Sequence, residues 1–447
     1  VKKYFEGDSL KAKTVRTSSW VIISLGGGNL IRLASNLILT RILFPEAFGL
    51  MALVQVFVAG LKMFSDTGVR TSIMRSERGE DPDFLNTAWT VQLIRGVLLW
   101  LLCCAIAIPA AALYDAPMLA QLLPIVGLSN IVAGLTTTNI ATANRKLILG
   151  RTTVIDLSMQ LFGTVIMVCL AYALQSIWAL VIGGLISSTA AMLMQHRMVP
   201  GIRNRLHLEP DAFWELFHFG KFLFLSTAVT FVITQGDKAV LGAYITPGEL
   251  GVYAIGAYLG TIPVMLVSEM NNKLVFPLYR MRPVAESADN RRKVFRVKRF
   301  VIAASLVLTI FMSYGGIALV DLLYDDRYAL AGPIVVVMGL TLVQRIVMTP
   351  YGAVLNVAGD SRGFFILTAV TAACQTILLF SGVIWFGILG VLLAPMLATA
   401  LTNPLRIYYA RKYKSWDPVS DLFFLSTGLS INGLACWYHW DEIVKLL

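Results

Sequence analysis

LIRLASNLILTRILFPEAFGLMALVQVFVAGLKMF, residues 30–64, reads as two apolar runs parted by a corner at Phe44-Pro45-Glu46. Followed outward to their polar borders, the runs cover 17–43 and 50–73. Both exceed the roughly 20 residues that a helix needs to cross a bilayer. A proline after the corner suits the first turn of the second helix, where its missing N–H costs nothing. The pattern is a helical hairpin that spans a membrane twice.

The rest of the chain repeats this pattern. Further apolar segments fall at 87–113, 118–143, 152–174, 176–196, 213–243, 251–276, 300–320, 332–356, 364–385 and 388–410, which makes twelve spans. A thirteenth stretch at 421–440 is shorter and has a charged tail, so it either spans or lies at the interface. Of 447 residues, 57% are hydrophobic and 14% charged, and the mean hydropathy is +0.72. A soluble chain would carry about 25% charged residues. Residues 1–19 are polar and basic with no apolar core before a cleavage site, so the N-terminus is expected to stay cytoplasmic.

Charge fixes the expected orientation. Lys and Arg crowd the N-terminal tail, the 75–78, 145–151, 197–205 and 280–299 connections, and 406–414, whereas the opposite loops hold Arg327 alone. The net charge of +11 therefore belongs to orientation and to an anionic phospholipid leaflet, not to nucleic acid, which needs a basic soluble face.

An internal repeat of about 200 residues organises the chain. Phe44-Pro45-Glu46-Ala47-Phe48-Gly49 is echoed by Thr246-Pro247-Gly248-Glu249-Leu250-Gly251. Leu113-Tyr114-Asp115 and Pro124-Ile125-Val126 recur as Leu323-Tyr324-Asp325 and Pro333-Ile334-Val335, and 177–186 resembles 388–397. The expected fold is an all-α polytopic membrane protein of two tandem six-helix bundles. A pseudo-two-fold axis along the membrane normal relates them around a central cavity, because an even helix count inserts both halves the same way. The expected parts are a basic tail (1–16), a first half (17–200), a cytoplasmic linker (201–212), a second half (213–414) and a C-terminal segment (415–447).

Catalytic and metal-binding patterns are missing from the sequence. Gly26-Gly27-Gly28-Asn29 lacks the Gly-Lys-Ser/Thr of a phosphate-binding loop, the four histidines are scattered, and the five cysteines have no paired spacing. No cofactor is expected, and the chain is not read as an enzyme. A membrane glycosyltransferase or ligase would need a large outer loop, and each outer loop here is about a dozen residues or fewer.

Ionisable residues inside spans remain, and these are costly enough to mark function by default. Asn29, Arg32 and Asn36 share one face of the first helix, and Gln55, Lys62 and Asp66 one face of the second. The second half supplies Gln235, Asp237, Lys238, Glu269, Lys273, Gln344 and Arg345. Arg95, Asp156 and Lys273 sit near enough to a surface to snorkel, and Asp237–Lys238 and Glu269–Lys273 can neutralise each other as pairs. Arg32, Lys62, Asp66 and Arg345 are nearer mid-span, and their net positive sign suits an anionic substrate. Pro109, Pro263, Pro350 and Pro395 interrupt spans and offer kinks or hinges.

RLASNLILTRILFPEAFGLMALVQVF (32–57), FSDTGVR (64–70), YDAPMLAQLLP (114–124) and QGDKAVLGAYITPGELGVYAIG (235–256) resemble oligosaccharide flippases of the polysaccharide-transporter family, within the multidrug/oligosaccharidyl-lipid/polysaccharide superfamily. The likeness covers residues 1 to 415. It implies a multi-pass protein of the bacterial inner membrane that moves undecaprenyl-diphosphate-linked oligosaccharides outward by alternating access, for exopolysaccharide, O-antigen or lipopolysaccharide, alongside other polysaccharide assembly proteins. The family pattern draws cavity charges from helices one, two, seven and eight, which matches Arg32, Lys62, Asp66, Lys238 and Glu269. Arg345 joins them from the residues alone. The cavity cations for the substrate diphosphate are then Arg32, Lys62, Lys238 and Arg345, and Asp66, Asp237 and Glu269 are candidates for H+ or Na+ coupling. Asn29, Asn36, Gln55, Gln235 and Gln344 line the same path. A drug or small-molecule antiporter of the superfamily is the alternative, and it would favour acidic mid-span residues.

Overall fold

The computed structural model describes residues 10–65, 68–146, 150–284 and 286–447. Every regular element among them is a helix. In chain order these are α1 (Leu10–Ile42), α2 (Pro45–Phe64), α3 (Val69–Arg75), α4 (Pro82–Leu113), α5 (Leu119–Gly134), α6 (Asn139–Arg145), α7 (Gly150–Leu174) and α8 (Trp178–Met198). There follow α9 (Pro210–Leu241), α10 (Pro247–Gly260), α11 (Ile262–Met270), a π turn (Asn271–Val275), α12 (Phe276–Met281) and α13 (Ala288–Leu323). Last come α14 (Ala331–Thr341), α15 (Val343–Val357), α16 (Ser361–Lys412), α17 (Pro418–Tyr438) and the short α18 (Trp440–Ile443).

Eight of these segments are long and apolar enough to cross a membrane, and two bent pairs raise the number to ten. The 52-residue α16 is two helices merged across Phe386 and Gly387. Gly387 has φ +55°, a left-handed conformation that favours glycine and lets the chain reverse. The first and seventh expected spans form helices of 33 and 32 residues, α1 and α9, but lie outside the eight to ten. The stretch at 421–440 forms α17, 21 residues with span character.

Helix starts follow the sequence closely. Pro45 and Pro247 both open helices in their first turn, as the repeated corner requires. Only the second corner is a full capping box, in which Thr246 accepts from Glu249 N and the Glu249 side chain accepts from Thr246 N at 2.8 Å. Asp81, Ser287 and Asp360 cap α4, α13 and α16 with their side-chain oxygens.

The chain divides into two compact units, Val1–Ala228 and Val229–Leu447. The division falls inside α9, because the linker before it is strapped to the first unit. The backbone N–H groups of Arg205, His207 and Glu209 each donate at 3.0 Å, to Asn86 Oδ1, Thr90 Oγ1 and Thr87 Oγ1 of α4. Alternate residues of an extended segment face one side, so every second amide reaches the helix. Arg78 joins the strap through Glu209 at 2.7 Å and through Asp81. Both carboxylates hold its guanidinium pKa above the ordinary value, Glu209 most strongly.

Each unit contains a close helix pair, α4 with α5 and α13 with α14, followed by a break in the fourth span. In the first unit α5 and α6 meet at 57° across 135–138, and in the second the α14 and α15 segments meet at 50° about Leu342. Neither break is at a proline. The prolines marked in the sequence lie inside α4, α15 and α16, or in the first turn of α11.

Candidate functional site

In the first unit the break in the fourth span helps to form a cavity of about 470 Å³. Its wall combines the end of α2 (Lys62), the start of α3 (Arg70, Ile73), the middle of α4 (Gln92, Arg95, Leu99), the end of α5 (Asn130, Gly134) and the connection at 136–138. Gln92 Nε2 and Trp89 Nε1 donate to the carbonyls of Ala133 and Leu135, at 3.1 and 3.2 Å, which satisfies oxygens freed where α5 ends. On the other side of the break Asn204 of the linker accepts from Thr137 Oγ1 and Thr138 N, and donates to Thr138 Oγ1 at 2.8 Å.

Three cationic side chains reach this cavity, and no carboxylate is among its described lining residues. Arg95 donates to Ser65 Oγ at 3.0 Å and to the Lys62 carbonyl at 2.7 Å, so a guanidinium caps the carbonyl end of α2. Arg70 Nε and Nη2 face the Asn144 amide oxygen once that amide is oriented to accept. The half-buried Lys62 makes no ion pair among the described residues and lies within electrostatic reach of Arg95. Asn130 is 2% exposed, and its Oδ1 has no hydrogen-bond partner among the described residues, while its Nδ2 lies 3.7 Å from Cys103 Sγ.

The other expected site residues of this unit are not in that cavity lining. Asn29, Arg32 and Gln55 are exposed on α1 and α2, and Asn36 is half-buried. Asp66 lies outside the described residues. Arg95, near enough to a surface to snorkel by its place in the sequence, has a structural role and braces α2. Asp156 accepts from Gln195 Nε2 at 3.0 Å. Arg70, Gln92 and Asn130 carry no sequence signal beyond the FSDTGVR stretch that contains Arg70, because their roles depend on which helices meet.

In the second unit Asp237 accepts from Tyr253 OH at 2.7 Å and lies within electrostatic reach of Arg345, which in turn feels Arg406. No ion pair joins Asp237 to Lys238, which is half-buried, whereas Glu269 and Lys273 do pair at 3.5 Å. Gln344 is half-buried, and Gln235 Oε1 is buried without a partner among the described residues. A network unforeseen in the sequence binds α17 to this unit. Lys298 of α13, fully buried, donates to Asp421 Oδ1 at 2.8 Å and to Tyr351 OH, and Tyr351 donates to Asp421 Oδ2. Arg299 forks onto both oxygens of Asp417 at 2.9 and 3.0 Å, and Ser313 donates to Asn432.

Residues 38–333 match the model of a family described as polysaccharide biosynthesis protein. The chain belongs to this family. Among curated relatives, the succinoglycan biosynthesis transport protein ExoT of Rhizobium meliloti (strain 1021) is 24% identical over 76% of this chain and 68% of its own. The amylovoran biosynthesis protein AmsL of Erwinia amylovora is 22% identical over 71% of this chain and 80% of its own. The fold is that of solved transporters. The lipid II flippase MurJ in an inward closed conformation superposes with a TM-score of 0.74 at 14% identity, over 96% of this chain and 100% of that one. An inward-facing multidrug resistance MATE transporter gives 0.64 at 13%, over 87% and 95%. This member of the polysaccharide biosynthesis family is thus a multi-pass membrane protein with a transporter fold.

Proposed function

We propose that this family member is a flippase for undecaprenyl-diphosphate-linked oligosaccharides, working by alternating access in the bacterial inner membrane with its N-terminus cytoplasmic. The reading places its product in exopolysaccharide, O-antigen or lipopolysaccharide assembly and treats 17–200 and 213–414 as two six-helix halves around the 201–212 linker. Support comes from the family, from the transport role in the name of the succinoglycan relative, and from the fold shared with a lipid II flippase.

The observation that carries it is the cation Lys62, which makes no ion pair among the described residues, in the wall of a cavity inside a span. A half-buried charge within a span is costly, so its retention suits an anionic ligand. On this reading Lys62, Arg32, Lys238 and Arg345 meet substrate phosphate oxygens, while Asn29, Asn36, Gln55, Gln235 and Gln344 offer hydrogen bonds to the glycan. Moving an anionic head group outward against an inside-negative potential costs about 2.3 kcal/mol per charge per 100 mV. Coupling to H+ or Na+ through Asp66, Asp237 or Glu269 would offset this.

The test is flipping of a fluorescent prenyl-diphosphate oligosaccharide in proteoliposomes. Wild-type protein is expected to expose label to an external quencher, with Arg32→Ala and Lys62→Ala slower. Equal rates in all three would remove the cationic path, and transport insensitive to pH, sodium and potential would remove the coupling.

A further inference from the structure

The repeat supplies a control for the cavity of the first unit. The register that pairs Leu113 with Leu323 puts Ser305 where Arg95 stands, and the register of Pro124 with Pro333 puts Gly339 at Asn130. The corner that pairs Pro45 with Pro247 puts Val264 at Lys62. All three counterparts are apolar, small or uncharged, and all three are buried. Over Gly339 the second unit lays α17, whose Asn432 Oδ1 would stand 3.3 Å from a Cβ there. The second unit therefore builds its own close helix pair and broken fourth span with neither a cation nor an Asn at these positions.

We propose that the cavity of the first unit is a binding site for a phosphate ester that carries a neighbouring hydroxyl, as in a sugar phosphate or a phosphoglycerol head group. Lys62 supplies the ammonium for the phosphate. Arg95 fixes the end of α2 that presents Lys62, and with Arg70 adds positive field. The buried Asn130 Oδ1 is an acceptor without a donor among the described residues, which a hydroxyl beside the phosphate would satisfy and the ester's own proton-free PO3 group would not. A volume of about 470 Å³ lies in the range of small-molecule sites and admits a phosphorylated monosaccharide. No carboxylate among the described lining residues opposes an anionic ligand, and phosphate oxygens match the ammonium and guanidinium donors of the wall.

The site shares Lys62 with the flippase reading, but its test involves no transport, so a protein that binds yet does not flip would lose only that reading. The full chain in phosphatidylcholine nanodiscs is titrated with glucose 1-phosphate, inorganic phosphate, glucose and glucuronate by calorimetry. Glucose 1-phosphate is expected to bind at least tenfold more tightly than each of the others. Lys62→Gln should weaken it tenfold or more. Asn130→Ala should weaken glucose 1-phosphate severalfold and leave inorganic phosphate unchanged, a split that general unfolding cannot produce; thermal midpoints of both variants confirm folding. Adding phosphatidylglycerol to the nanodiscs separates the sources: competition assigns the site to a lipid head group, and unaltered binding to a sugar phosphate. Glucuronate binding as tightly as glucose 1-phosphate, or wild-type affinity in Lys62→Gln, would overturn the proposal.

Discussion

The two units solve the same packing problem and dispose of the result differently. Each sets a long third helix against a broken fourth one, α4 against α5 and α6, α13 against α14 and α15. In the first unit the space beside the break stays open, with Lys62, Arg70 and Arg95 in its wall and the linker's Asn204 bonded to its edge. In the second unit the extra helix α17 lies over the corresponding positions, anchored by Lys298–Asp421 and Arg299–Asp417. Its Gly428 comes close to Val343 at the break, where a Cβ would meet the valine side chain at 2.7 Å. Beside its break the first unit thus keeps a cavity with Lys62 in its wall, while the second uses Lys298 and Arg299 to hold a helix.

That contrast is broken most severely at Lys298. Removing one partner of a buried pair strands the other charge, so Lys298→Ala should cost about 3–5 kcal/mol of stability. Replacing both members, Lys298→Met with Asp421→Leu, should recover much of that loss. Reversible unfolding in mixed micelles reads both, and a single variant as stable as wild type would mean that the pair does not anchor α17.

Lys62→Ala should behave in the opposite way, losing function with little stability. A hydrogen bond to a charged group contributes about 1.5–3 kcal/mol, so flipping in proteoliposomes should fall by roughly tenfold or more. An unfolding midpoint lowered as far as that of Lys298→Ala would erase the distinction between the units.

Asn204→Ala examines the strap. It leaves Thr137 and Thr138 without their side-chain partner, at about 1–3 kcal/mol if those groups stay dry. Faster amide exchange at 136–139 and 199–209, with α13 and α17 unchanged, is the expected signature. Exchange rising equally in both units would show that the strap is not local.

The smallest effect concerns Asp360, between α15 and α16. Tyr413 OH, the Gly363 amide and Lys412 hold its carboxyl down to about 2. Because the folded value lies below the unfolded one, its stabilisation is present above about pH 4 and disappears as pH falls toward 2. The wild-type melting temperature should drop over that window more than that of Asp360→Asn. Parallel curves would assign acid sensitivity to other carboxylates.

Much of the fold could be read from residues 30–64 outward, since a bilayer solvent leaves few options for long apolar runs and proline marks their first turns. The repeated corner at Pro45 and Pro247 foretold two helices that begin alike, and they do. The stretch at 421–440 was ambiguous because its apolar run is short and its tail is charged. Its Asp421 meets Lys298, 123 residues away, a pairing that no local reading of the sequence could supply. The candidate site was legible in part. Lys62 stood out as a charge among apolar residues, but Arg70 and Asn130 did not, and Arg32 had been placed with Lys62 although the cavity lining contains only the latter.

The sequence by itself determined that the chain is helical, that it crosses a membrane many times and that it carries a repeat. Those properties depend on local hydropathy and periodicity, which each segment expresses without its neighbours. Tertiary structure alone decided which charges are consumed and which remain. An ion pair or an orphaned acceptor is a relation between helices far apart in the chain, and no single run of residues encodes it.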